Sequence, residues 1–313
     1  MSTNFKRFSL AIHGGAGAVP KSYLQENKKE YERILEETIR TGMSLLSKGS
    51  KSGEVVCEIV ALLEDCDKFN AGKASVLNSK GRVSMDAAFV DGESASYGGV
   101  INVEKVKNPV KLAKKLSEFQ HHNIISGEGA LEFAKEHGLE IMPMSYFLTE
   151  YRKRQLAKAK KVDGFCLDHF DDTILTDDSK YGTVGAVAFD CYGNLAAATS
   201  TGGITNKKYG RVGDCPILGA GTFADNATVA VSATGRGEDF TKNLVASDLH
   251  ARVKYAKVDL TIAANEIVNN VIPKNSGGLI AVDKDGNIAM PFNTPVMFRA
   301  SCNQNGIIDV AIT

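Results

Sequence analysis

Charge of neither sign dominates this sequence: 37 lysines and arginines stand against 37 aspartates and glutamates in 313 residues. Nothing global therefore draws the chain to nucleic acid, an anionic membrane or a strongly charged substrate, and a small neutral or zwitterionic ligand fits better. Long apolar runs are missing too. No stretch approaches the roughly 20 apolar residues of a membrane span, and the start, MSTNFKRFSLAIHGGAG, has only a short apolar patch before its glycines. The expectation is a soluble, cytoplasmic protein. The six cysteines, Cys57, Cys66, Cys166, Cys191, Cys215 and Cys302, form neither a C-x-x-C pair nor a zinc pattern, so free thiols are expected. Also absent are G-x-S-x-G, the phosphate loop G-x-x-x-x-G-K-[ST], H-E-x-x-H and an EF-hand loop. The adjacent histidines His121 and His122 have no i, i+4 partner, which argues against metal-dependent hydrolysis.

What is present divides near residue 180 into a helix-rich first half and a second half of short apolar strands and glycine turns. Phe8 to Ile12 reads as a strand entering a glycine turn at His13–Gly17 whose backbone approaches something closely. Tyr31, Ile34, Leu35, Thr38 and Ile39 repeat at helical spacing, in a helix stopping near Lys48-Gly49. Val55 to Leu63 predicts a buried second helix. Ser75–Asn78 and Val83–Val90, about the turn Ser79-Lys80-Gly81, predict a hairpin. Further helices are expected at about 109–118, 128–137 and 145–160, the last carrying the basic run from Arg152 to Lys161 as a solvated face. Residues 162–182 lose periodicity and gather Asp, Ser, Thr and Gly, which predicts an exposed, mobile linker.

Beyond the linker, Thr183–Asp190 and Leu195–Thr201 predict a hairpin of small residues, dense enough to be covered on both faces. Gly277–Asp283 and Asn287–Phe292 predict another, with helices at 238–257 and 260–271 between the two. Strands paired by hairpins and helices in separate blocks suggest antiparallel sheets under helical layers, an α+β arrangement, rather than a doubly wound parallel sheet.

A Gly182-Thr183 pair opening a buried strand after a mobile linker is a place where a chain could be cut, although such strand starts are also commonplace. Downstream stand Ala198-Thr199-Ser200-Thr201-Gly202-Gly203, Gly210-Arg211-Val212-Gly213-Asp214, Gly219–Asp225 and Ala233-Thr234-Gly235-Arg236-Gly237-Glu238. With the HGGAG string at 13–17 and Phe69-Asn70-Ala71-Gly72, they resemble the isoaspartyl peptidase and plant-type L-asparaginase family of N-terminal-nucleophile hydrolases. The resemblance covers nearly the whole chain and is weakest at 162–182. The family relatives glycosylasparaginase and threonine aspartase are the alternatives most easily confused with it. Against the first stand a start that reads as no signal peptide, so that none is expected, and Gly202 after Ser200-Thr201.

The resemblance implies a four-layer αββα sandwich and a single-domain precursor, 1–313. Cut after Gly182, the precursor would give an alpha subunit, 1–182, and a beta subunit, 183–313, paired as a homodimer. A neutral threonine hydroxyl needs an adjacent base, and in this family that base is the threonine's own α-amino group, free only after self-cleavage. Thr183 would be the nucleophile, Thr201 its hydrogen-bonding helper, and Asn70 the partner of its freed amine. Thr234 and the Gly235 N–H would form the oxyanion hole. Arg211 would grip the substrate α-carboxylate in a two-pronged contact, while Asp214 and Gly237 received its α-ammonium. The substrates implied are L-asparagine and β-aspartyl dipeptides, with no organic cofactor. Carbonyls of Leu63, Glu64, Cys66, Phe69, Ala71 and Lys73 would surround a structural sodium ion.

Each motif has a plainer reading: a satisfied strand threonine at Thr201, a helix entry at 234–238, a surface ion pair for Arg211 and Asp214. Two departures stand out. Arg236 occupies a position of smaller residues or histidine, which would put a second cation near the substrate end, and HGGAG is one glycine shorter than HGGGAG. Two other classes stay open: an uncleaved binding protein, and a serine-type esterase using His13-Gly14-Gly15.

Overall fold

Strands made wholly of small or apolar residues need cover on both faces, because no side of them gains from water. The computed structural model describes residues 7–119, 121–161 and 182–313, and within it Val184–Phe189 and Leu195–Thr201 are buried at every position. In chain order the elements are β1 Ser9–Gly17, α1 Lys21–Ser47, α2 Ser52–Asp65, β2 Met85–Asp91, β3 Ser96–Val103, α3 Pro109–Ser117, β4 Ile124–Ser126, α4 Gly127–Glu136, α5 Met144–Phe147 and α6 Glu150–Lys161. Then come β5 Val184–Phe189, β6 Leu195–Thr201, β7 Thr222–Ala224, β8 Val229–Gly235, α7 Gly237–Asn243, α8 Val245–Lys254, α9 Leu260–Glu266, β9 Gly277–Asp283, β10 Ile288–Ala289, β11 Val296–Asn303 and β12 Ile308–Ala311. Eight strands form one sheet in the order β12-β11-β1-β5-β6-β2-β3-β4, and four form a second, β10-β9-β8-β7. Every neighbouring pair is antiparallel except β3 with β4, so the fold is α+β and not a doubly wound parallel sheet.

Side-chain alternation along the strands sorts the core about the two sheets into three layers, beside a smaller cluster of Leu77, Val83, Met85, Phe147 and Leu156. In β5, Val184, Ala186 and Ala188 pack with helical residues such as Leu35, Ile59, Val60 and Leu112, whereas Val187 and Phe189 point the other way. They meet Ala230, Ile280 and Val282 of the second sheet. The opposite face of that sheet, Val231, Leu279 and Ala281, is covered by Phe240, Leu249, Leu260 and Val268. Helix α1 shows how the outer cover is held. Its buried stripe is Tyr31, Leu35, Thr38, Ile39, Gly42 and Leu46, and fully burying a side chain such as Leu35 contributes about 1.5–3 kcal/mol. Its exposed Arg33–Glu37 and Arg40–Glu36 pairs add only about 0.3–0.5 kcal/mol each.

Several elements differ from the sequence expectation. His13–Gly17 is no turn: it continues β1 through a bulge between His13 and Gly15. The expected close approach is there, since a Cβ on Gly14 would lie 2.3 Å from the Phe69 ring. Ser75–Asn78 forms no strand. Asn78 closes a tight turn with Arg82 (2.9 Å), the chain before it bonds to the loop after β6 (Asn206 N–H to Leu77 O, 2.8 Å), and the hairpin partner of β2 is β3. The helix expected at 145–160 breaks at Leu148, whose extended backbone (φ −88, ψ 90) separates α5 from α6. Arg152 belongs to no solvated face: it is buried, donating to Ala74 O and Gln155 Oε1. The helix at 238–257 divides at Leu244, which is left-handed (φ 46), and the one at 260–271 ends in a π turn, Ile267–Val271. The predicted linker, 162–182, lies outside the described residues except for Gly182.

Candidate active site

Antiparallel pairing of Val184 with Ser200 places the residue before β5 beside the last residue of β6, so hairpin register alone brings Thr183 to Thr201. Their Oγ1 atoms lie 3.1 Å apart, both side chains buried. Thr183 Oγ1 also lies 2.7 Å from the carbonyl oxygen of Gly182, and its one proton can serve only one of these partners at a time. The same carbonyl accepts from Thr201 Oγ1 at 3.1 Å and from Asn70 Nδ2 at 3.0 Å. Asn70 is fixed in turn, donating to Gly203 O (2.8 Å) and accepting from Val76 N–H (2.9 Å). The peptide carbonyl between Gly182 and Thr183 is thus ringed by donors, the arrangement that stabilises negative charge on an oxygen.

His13, which the glycine string had overshadowed, holds the other side of the threonine. Burial holds its imidazole down at about 3, against the raising effect of the Thr183 carbonyl, so the ring is neutral. A carbonyl can only accept, so Nδ1 carries the proton and donates to Thr183 O (3.1 Å), leaving Nε2 to accept from Ser232 Oγ (2.9 Å). Ser232 is bonded on to Thr199 at 2.7 Å. No sequence signal marks this chain, because alternate strand hydroxyls are ordinary.

A cavity of about 10 Å³, room for one water, is lined by Gly182, Thr183, Thr201, Arg211, Asp214, Gly235 and Gly237, among others. Most of the expected site residues therefore converge on one point. Asn70 and Thr234 do not line the cavity: Asn70 reaches it through the Gly182 carbonyl, and Thr234, fully buried, accepts from Ala16 N–H (3.2 Å). Gly235 does line it, and it is held so close to Ser276 O that a Cβ would lie 2.2 Å away. Asp214 is buried with Oδ2 lacking a hydrogen-bond partner. Arg211 Nε and Nη2 are both taken, at 3.0 Å each, by the carboxylate of Glu238, so a substrate must meet another edge of the guanidinium than a free fork would offer. The sequence marks Glu238 only as part of a helix entry.

The asparaginase family model matches residues 6–312. The chain belongs to this family. It is 44% identical over 294 residues to the isoaspartyl peptidase of Escherichia coli, covering 93% of this chain and 91% of that one, and equally identical to the isoaspartyl peptidase of Salmonella typhimurium. With the human isoaspartyl peptidase/L-asparaginase it shares 40% over 281 residues, 88% of this chain and 87% of the human one. No helix among the described residues is long and apolar enough to cross a membrane.

In this family member the loop compared with a sodium site follows the C-terminus of α2. Cys66 leaves the helix extended (φ −78, ψ 138), so last-turn carbonyls, among them Leu63 and Glu64, have no further helical N–H ahead of them. Gly72, at φ +50, folds the loop back until a Cβ there would lie 2.4 Å from Glu64 O. Phe69 O and Ala71 O each accept one N–H and keep a second lone pair. Carbonyls gathered at a helix C-terminus suit a hard cation. Glu64 itself is buried, its carboxyl pushed up to about 8 by burial against hydrogen bonds from Ser200 and Val110. Arg236 is exposed and does not line the cavity, but its charge is felt by Glu238, the partner of Arg211.

Proposed function

We propose that this chain is a self-cleaving N-terminal-threonine amidohydrolase that releases L-aspartate from L-asparagine and β-aspartyl dipeptides. The observation that carries the reading is the Gly182 carbonyl, ringed by Asn70 Nδ2 and Thr201 Oγ1 with the Thr183 hydroxyl folded onto it. In the first step Thr183 Oγ1 attacks that carbonyl carbon, and Asn70 and Thr201 stabilise the oxyanion. The C–N bond breaks, leaving Gly182 as an ester on Oγ1 and the Thr183 nitrogen as an amine. Water then hydrolyses the ester. The freed amine, with an ordinary pKa of about 7.7–8.0, becomes the base for the same hydroxyl.

In turnover Thr183 Oγ1 attacks the side-chain amide carbon of the substrate, and the Gly235 N–H receives the developing oxyanion, joined by the Thr234 hydroxyl once departure of Gly182 opens the cavity toward it. Ammonia or the leaving amino acid departs, and water releases aspartate from the Thr183 ester. A cavity with room for one water excludes substrate while Gly182 stays attached, so cleavage both frees the base and opens the site. Three stacked cores support a four-layer αββα sandwich, a single 313-residue precursor yielding 1–182 and 183–313. A homodimer in the cytoplasm completes the reading. Bound at the carbonyls of Leu63, Glu64, Cys66, Phe69, Ala71 and Lys73, a sodium ion would supply a fixed positive charge, and those residues would brace the loop holding Asn70. The test is intact mass and N-terminal sequencing of the purified protein, with aspartate release measured on asparagine and β-Asp-Leu. One uncut mass after long incubation, with no aspartate released, would sink it.

Two outcomes follow from the binding end. Arg211→Ala removes a charged hydrogen bond worth about 1.5–3 kcal/mol, so kcat/KM on both substrates is expected to fall roughly ten- to hundred-fold. Unchanged kcat/KM of the mature variant on both would exclude Arg211 as the carboxylate partner. The carboxyl of Asp214 is pushed up to about 7 by burial, against the opposing pull of Arg211. It is charged above that pH and neutral below, and an α-ammonium needs the anion. Affinity for the product L-aspartate, measured by calorimetry from pH 5 to 8, is expected to weaken by about tenfold per unit below 7. A flat profile would remove Asp214 from that role.

A further inference from the structure

The two charged ends of the proposed clamp lie close together, yet the guanidinium makes its ion pair with Glu238 and not with Asp214. A Cβ on Gly237 would sit 2.9 Å from Asp214 Oδ1 and 3.0 Å from Arg211 Nη2, so anion and cation flank one point. Asp214 is buried; its Oδ1 faces this gap, while Oδ2, which has no hydrogen-bond partner, lies toward Gly221, where a Cβ would sit 2.7 Å from it. An unpaired buried carboxylate attracts the nearest mobile cation. The other nearby cation, Lys207, is committed elsewhere: its Nζ donates to Ser84 O and lies 4.0 Å from Asp86. Arg211 is the candidate, yet its Nε and Nη2 are held at 3.0 Å each by Glu238, from the first turn of α7.

We propose that Glu238 is a positioning residue which, by gripping Arg211 side-on, keeps the guanidinium off Asp214 and so holds the substrate clamp open for a zwitterion. The proposal rests on the reading of Arg211 and Asp214 as the carboxylate and ammonium ends of the site. Of the five guanidinium N–H groups Glu238 engages two, leaving both on Nη1 and one on Nη2 for a substrate carboxylate. Gly213, where a Cβ would lie 3.1 Å from Arg211 Nη1, keeps that edge clear, as Gly237 keeps the gap. Gap and brace are therefore adjacent in sequence, at 237 and 238. Without the brace, Arg211 turns into Asp214, and the molecule fills its own site with an internal ion pair. Selectivity follows as well: a ligand with only one of the two charges leaves the other end of an open clamp unmatched.

The experiment compares mature wild type, Glu238→Gln and Glu238→Asp, each with cleavage verified by mass. The substrates are L-asparagine, succinamate, which lacks the α-ammonium, and 3-aminopropanamide, which lacks the α-carboxylate. For Glu238→Gln, KM for asparagine is expected to rise roughly ten- to hundred-fold with kcat within about threefold. The preference for asparagine over both truncated amides should shrink by a similar factor. Glu238→Asp keeps the charge and should recover most of the affinity, and a crystal structure of Glu238→Gln should show Arg211 within hydrogen-bond distance of Asp214. An unchanged KM in Glu238→Gln, or an Arg211 still apart from Asp214 in its structure, overturns the proposal. Failure of the underlying reading is distinguishable because it shows in wild type, as equal kcat/KM on asparagine and 3-aminopropanamide.

Discussion

Thr183→Ala is expected to stay one chain of 313 residues where wild type separates into 182 and 131, the second being 313 less 182. The substitution deletes the only hydroxyl within the scissile dipeptide, 2.7 Å from the Gly182 carbonyl oxygen, and leaves the Thr201 hydroxyl in its role as a donor to that oxygen. It also leaves the base masked, because the Thr183 nitrogen stays an amide. Both functions vanish together, so aspartate release should drop by roughly 10⁴-fold or more, as for other lost nucleophiles. The fold should survive. A buried hydroxyl bond contributes about 0.5–1.5 kcal/mol, against a total stability of about 5–15 kcal/mol. Thr183→Ser, which keeps the oxygen, should still be cut. Cleavage after Gly182 in purified Thr183→Ala would exclude the mechanism.

Asn70→Asp should slow self-cleavage by roughly 10²–10³-fold, the usual cost of one lost oxyanion donor. The replacement keeps the shape and the acceptor for Val76 N–H but removes the donations to Gly182 O and Gly203 O. As a carboxylate it would face two carbonyl oxygens with no proton to offer. Lowering the pH protonates the introduced carboxyl and restores one donor, so part of the rate should return in acid. The measurement is the half-life of the intact chain by mass spectrometry across pH. A rate equal to wild type at pH 8 would mean that Asn70 does not polarise the scissile carbonyl.

Much of the site could be read from the chain because it lies on short-range geometry. A hairpin that pairs Val184 with Ser200 must bring Thr183 to Thr201, and the GRVGD string carries its cation and anion three residues apart. The buried stripe of α1 and the density of β5 and β6 were likewise visible, since periods of 3.6 and 2 are written in apolar spacing. Broken helices were not. Leu244 in a left-handed conformation and Leu148 in an extended one are ordinary leucines, with no residue-type signal for a break.

By itself the sequence determined the strand and helix periods, the hairpin that joins nucleophile to helper, and the order of the motifs that mark the family. Tertiary structure alone decided the rest. His13 meets Thr183 across 170 residues and Ser232 across 219, Asn70 reaches Gly182 across 112, and Glu238 takes Arg211 across 27. Apolar periodicity says which face of an element is buried but not which polar group waits opposite. A buried donor or acceptor must be satisfied by whatever the packing of distant elements brings within about 3 Å, and that distance is set only when the sheets and helices close on one another.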